Sequence, residues 1–178
     1  AKILVSLGCH WYQADQVAKE LYETDIILRR AMEDTFGDQV YNDNKLDRGY
    51  LAKIVFDDKK ALNKLNQLIH PAVKRHFEKF ALDRPQSIIV REAAILFESG
   101  SDKDCDLIVT VGCQEDIRIA RVQKRDGLSA DEILKRIKNQ MTDEQRAEKS
   151  DEEIVNDGRA LLIPQVVALL KRRGIILS

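Results

Sequence analysis

Residues 87–112 read SIIVREAAILFESGSDKDCDLIVTVG, and they decide the fold. The runs Ser87 to Val90 and Leu107 to Val111 are continuously β-branched or apolar with little polar alternation. That is the pattern of strands buried on both faces of a parallel sheet. Downstream, residues 117–129 (IRIARVQKRDGLS) predict an arginine-punctuated helix, and residues 154–158 (IVNDG) a last short strand. Carboxylates at a strand end, an arginine helix and a strand-turn segment, in that order, form a layout for handling phosphates.

Working outward, Ile3, Leu4 and Leu7 fit the last turns of an amphipathic helix closed by Gly8; KILVSL equally fits a buried strand, but the short strand CHWY that follows at once favours the helix. CHWY then reads as a strand, and Asp15 as an N-cap opening the next helix. From Gln16 to about Leu82 the pattern is almost wholly helical. It breaks at residues 36–47 (FGDQVYNDNKLD) and where Pro71 follows His70 as a candidate first helical residue. Ser129 with Glu132 and Thr142 with Gln145 are capping-box signatures, so two short helices follow Gly127. A helix from about Ile163 to Arg172 ends the pattern.

The 178 residues suit one domain, or one domain with an insert, and can bury roughly 70% of the surface of the unfolded chain. Lys+Arg 29 against Asp+Glu 30 gives a net charge of −1, which argues against a generic polyanion-binding surface such as one for nucleic acid. Cys9, Cys105 and Cys113 make an odd count without CxxC spacing, which points to a reducing, cytoplasmic compartment and away from zinc or a disulfide framework. No apolar run approaches the roughly 20 residues that span a bilayer.

Several residues stand where chemistry is done in such folds. Asp15, where a strand gives way to a helix, can accept a proton from a substrate hydroxyl or simply cap the helix. Glu92, just past SIIV, can hold Mg²⁺ directly or through water, or pair with Arg91; Glu98 is a second candidate. Arg118, Arg121 and Arg125 share one helical face and can clamp phosphates or form a solvated stripe, with Arg136 on the following helix. His10, His70 and His76 lack metal-ligand spacing. Trp11 and Tyr12 read as core and edge residues of a short strand.

Taken together, LGCHWYQAD, LDRGYLAKIVF, LIHPAV, REAAILFESG, RVQKRDGLS, RIKNQM and IVNDG resemble the dephospho-coenzyme A kinase family, in order, from residue 1 to about 170. The resemblance implies a P-loop kinase-type three-layer α/β/α fold with a parallel sheet, a helical substrate-binding insert and a helical lid. It implies a nucleotide-binding core of residues 1–15, 83–124 and 151–178, a coenzyme A-binding helical domain of residues 16–82 and a lid of residues 125–150. The implied reaction is ATP-dependent phosphorylation of the ribose 3′-hydroxyl of dephospho-coenzyme A, with Mg²⁺, in the cytoplasm and with no membrane or nucleic-acid partner. Asp15 matches the family's base, and Arg125 a lid arginine against the phosphates. Arg121, Arg136 and Asn156 match the ATP side. Glu92 and His70 match the acceptor side, Glu92 also lying near the metal.

Three departures qualify the resemblance. Gln13 replaces the first Asp of the family's DAD, leaving Asp15 as the base. Glu152 and Glu153 stand where apolar residues usually enter the last strand, which predicts a late-starting or mobile strand and a perturbed adenine pocket. No GxxxxGK[ST] occurs, and the strand and loop that carry it, about twenty residues, are expected before Ala1. Because losing even one preorganised donor costs about 10²–10³ in rate, residues 1–178 by themselves are expected to be inactive. The competing expectations are a non-catalytic relative binding coenzyme A or a partner, and a kinase for another nucleotide-like acceptor.

Overall fold

The computed structural model describes residues 1–56 and 58–176, which form an α/β fold of two compact units, His10–Ala93 and Ala1–Cys9 with Ala94–Ser178. Among the described residues the strands pair in three two-stranded ladders, two of them parallel, where the sequence predicted one parallel sheet.

In the His10–Ala93 unit, β1 (His10–Gln13) leads straight into α2 (Ala14–Thr24), numbered after α1 (Lys2–Ser6) of the other unit. Ala14 and Leu21 are buried with Val17 and Ala18 beside them, the spacing of one helical face. Asp15 therefore lies in the first turn and not at the predicted cap. Pairing of Gln13 with Glu92 keeps Gln13 extended, which makes it the cap residue. α3 (Ile26–Phe36) is capped by Asp25, whose carboxylate accepts from the amides of Ile27 and Leu28 at 2.9 and 3.0 Å. It ends at Gly37, whose φ of 88° suits glycine.

A hairpin unforeseen in the sequence follows, β2 (Tyr41–Asn42) and β3 (Lys45–Leu46), turning through Asp43 and Asn44 at φ 46° and 64°. α4 (Arg48–Val55) leads to α5 (Lys59–Leu82), which runs through Pro71 without the predicted break. The proline forfeits the bond to the Gln67 carbonyl. Burial of Leu65, Ile69, Ala72 and Val73 along one face outweighs that loss. α5 thus forms the floor of a core completed by Tyr12, Leu28, Met32 and Val40. Met32, with no exposure, contributes about 1.5–3 kcal/mol through burial. β4 (Ile89–Glu92) closes the unit, parallel to β1 and starting two residues later than the SIIV run suggested.

In the other unit, α1 (Lys2–Ser6) forms as expected, and β5 (Val109–Gly112) pairs in parallel with β6 (Glu152–Val155). Neither β4 nor β5 is buried on both faces: β4 is at best half-buried and Val111 is 57% exposed. The faces of a strand are covered by what packs on its sheet, and too little packs on β4 and β5 to enclose both faces, which corrects the reading of the two apolar runs. α6 (Glu115–Asp126) ends at Gly127, and α7 (Ala130–Lys138) and α8 (Asp143–Lys149) both begin with the predicted capping boxes. α9 (Leu162–Arg172) buries Val166 and Leu169 against Ile154, with Ile3, Leu4 and Val109 around them. The predicted late start of β6 is also corrected. The strand begins at Glu152, because Arg172 and Arg173 grip that carboxylate at 2.6 and 2.8 Å.

Candidate active site

Each parallel ladder ends in a group of polar side chains at its carboxyl edge, where open α/β folds bind ligands. In the His10–Ala93 unit the register sets Gln13 opposite Glu92, the last residues of β1 and β4. Asp15 follows two residues beyond Gln13, so both predicted carboxylates leave the same edge of one ladder, and both are exposed. The Glu92 carboxylate accepts from the indole N–H of Trp11 at 3.1 Å. Its neighbour Arg91 lies over the ring of Phe77, 4.5 Å from the centroid.

His70 lies on the buried side of α5 at the turn containing Pro71. Its Nε2 is buried without a hydrogen-bond partner among the described residues, and desolvation pushes the imidazole pKa below its ordinary value. A neutral ring with an unsatisfied nitrogen can receive or donate one further hydrogen bond. Tyr12 is structural: its hydroxyl donates to the Val73 carbonyl at 3.1 Å, its ring lies 5.8 Å from that of His76, and burial raises its pKa to about 12.

In the second unit Arg121 crosses from α6 to the turn after β6. Its Nη1 donates to the Asn156 carbonyl at 2.6 Å and approaches the Cys113 sulfur at 3.4 Å. The turn is built by Asp157, whose carboxylate accepts from the amides of Arg159 and Ala160, both at 2.8 Å. Those bonds, that of Ala160 foremost, hold its pKa below the ordinary carboxylate range. Gly158 completes the turn at φ 85°, and a Cβ there would lie 3.3 Å from Arg121 Nη2.

The predicted arginine stripe divides by partner. Arg118 donates to the Cys113 carbonyl at 2.9 Å and pairs with Asp143, which also pairs with Arg146, so its work is to tie α8 to α6. Arg125 forks onto Asp126 at 2.7 and 2.9 Å on a 73% exposed side chain, and Arg136 is exposed on α7. Glu98, the alternative metal candidate, accepts from the Met141 amide at 2.7 Å and anchors the loop before α8. Asp143 and Trp11 are contacts that the sequence did not reveal. Asp157 could have been found, since Asp before Gly after a strand is a turn signature.

A family model described as Dephospho-CoA kinase matches residues 1–161. The chain belongs to the dephospho-CoA kinase family. Among its relatives, the dephospho-CoA kinase of Bacteroides fragilis strain YCH46 is 35% identical over 169 residues, spanning 94% of this chain and 82% of that protein. That of Chlorobaculum tepidum is 38% identical over 164 residues, spanning 88% and 78%. The structure resembles TT1252 from Thermus thermophilus with TM-score 0.82 and 25% identity over 97% of this chain and 88% of that one. The dephospho-CoA kinase from Campylobacter jejuni shares the fold, with TM-score 0.64 and 22% identity over 98% and 90%. Membership makes the chain a kinase, an ATP-using transferase of the last step of coenzyme A biosynthesis. Among the described residues no helix of the kinase is long and apolar enough to cross a membrane.

Proposed function

We propose that this kinase transfers the ATP γ-phosphoryl group to the ribose 3′-hydroxyl of dephospho-coenzyme A. The observation that carries this reading is the exit of Asp15 and Glu92 from one carboxyl edge in a chain of this family. Asp15 takes the hydroxyl proton as the ribose oxygen bonds to γ-phosphorus, and the bond from that phosphorus to the β,γ-bridging oxygen breaks to release ADP. Its exposure leaves it accessible to a substrate.

Glu92 faces the acceptor and Mg²⁺. Glu92 is an exposed carboxylate with one oxygen bonded to Trp11, so it would hold Mg²⁺ through its other oxygen or through water, with the remaining ligands coming from waters and phosphates. When bound, the ion neutralises charge on the β- and γ-oxygens. His70, with its unsatisfied buried nitrogen, contacts the acceptor from the helical domain of residues 16–82. Arg121, Arg136 and Asn156 serve ATP, and Arg125 steadies the phosphates at the start of a lid of residues 125–150. We place the reaction in the cytoplasm, in keeping with the odd cysteine count.

The test is ADP release by the full-length enzyme. Release should require dephospho-coenzyme A, and Asp15→Asn should lower turnover by about 10²–10⁴ while leaving the melting temperature in place. Full turnover in that variant would remove Asp15 from the mechanism. Equal release with another nucleotide acceptor would overturn the substrate.

A further inference from the structure

The hydrogen bond from Trp11 to Glu92 joins a residue with no assigned role to one at the proposed site. In the parallel register Trp11 lies opposite Val90 and Gln13 opposite Glu92. Side chains alternate along a strand, so Trp11, Gln13, Val90 and Glu92 share one face of the ladder. Trp11 therefore reaches one pleat forward, diagonally, to place its Nε1 at 3.1 Å from Oε2 of Glu92.

The two partners differ in freedom. Glu92 is exposed, and its carboxylate sits on a stem of three rotatable bonds that loses much rotamer entropy when fixed. Trp11 is half-buried, has two torsions, and its indole can only donate. The better-ordered side chain thus restrains the looser one through its single polar atom, and it engages one carboxylate oxygen while Oε1 stays available to other partners.

We infer that Trp11 is a positioning residue that aims the Glu92 carboxylate through its indole N–H. The inference rests on the reading of Glu92 as the carboxylate facing acceptor and metal. Second-layer partners of metal-side ligands change metal affinity or activity by about 10–100-fold when removed, and an exposed contact belongs at the lower end.

Trp11 is the only tryptophan of the 178 residues, and its indole N–H resonance is identified by its loss in Trp11→Phe. Glu92→Ala and Glu92→Asp, both at an exposed position that should not disturb folding, are each expected to move that resonance upfield. An unmoved resonance would sink the inference. Trp11→Phe keeps an aromatic ring and removes the donor; it should raise the Mg²⁺ needed for half-maximal rate about tenfold. In the Glu92→Ala background it should cost nothing further. If Glu92→Ala impairs the enzyme and Trp11→Phe leaves its Mg²⁺ dependence unchanged, Trp11 has no positioning role although Glu92 keeps its own. If Glu92→Ala retains full rate and Mg²⁺ response, the reading of Glu92 fails and the inference fails with it.

Discussion

Arg121 and Asn156 meet at 2.6 Å, guanidinium to backbone carbonyl, which fastens α6 to the turn following β6. Gly158 leaves the space that this contact uses. Gly158→Ala would place a Cβ 3.3 Å from Arg121 Nη2 on a residue held at φ 85°. A side chain in left-handed backbone costs about 1–2 kcal/mol, so the urea midpoint should fall. The KM for ATP should rise while that for dephospho-coenzyme A stays put, and steady-state kinetics with each substrate varied in turn would distinguish this from a general loss of fold.

Asp143 should make the kinase acid-sensitive. Burial by itself would raise its pKa, but the hydrogen bond from Arg118 and the charges of Arg118 and Arg146 outweigh it, and the net shift is downward. A carboxylate with a depressed folded pKa stabilises above its unfolded value, near 3.8, and that contribution disappears as pH falls through the folded one. Asp143→Asn should therefore be less stable than the parent at pH 7, with the gap closing below about pH 4. Thermal melts across that range would measure it.

His70 acts at milder pH, with a folded pKa below 6.5 because burial disfavours its charge. The unfolded chain then binds the proton first on acidification, so stability is lost as pH falls from about 6.5 through the folded pKa. The ring should titrate below 6.5 by NMR, and a His70→Gln variant should show a flatter stability profile there. A midpoint at or above 6.5 would remove this account.

Asp25 anchors the helical unit. Besides capping α3 it accepts from Arg75 Nη2 at 3.1 Å, with its side chain only 18% exposed. Asp25→Ala should cost about 1–2 kcal/mol, read from chemical denaturation. Arg75→Ala should cost less, because that ion pair is partly exposed.

What the sequence disclosed was local. Ser129 with Glu132 and Thr142 with Gln145 form within one helical turn, so their spacing alone located α7 and α8. Pro71 misled because the breaking tendency of one residue lost to burial along 24 residues of α5. The hairpin at Asp43 and Asn44 had the right turn residues, but its strands of two residues are too short for an alternating pattern to register. Family motifs suggested Asp15, Glu92 and Arg121 as residues of the proposed site. The contact between Trp11 and Glu92 depends on strand register between segments 81 residues apart, which no local pattern encodes. For the same reason the runs SIIV and LIVTV announced strands but not how little covers them.

The wide spacing within the β1–β4 ladder also sets a timetable. His10–Gln13 leaves the ribosome long before Ile89–Glu92, and at roughly 5–20 residues per second the wait is several seconds. Helices α2 to α5 condense meanwhile, since their contacts are closer in sequence. The newborn chain therefore carries β1 without β4 until that strand arrives, and Asp15 and Glu92 share a ladder edge only from that step. Protease treatment of stalled chains should find His10–Gln13 cleavable until residue 92 has cleared the exit tunnel and protected thereafter.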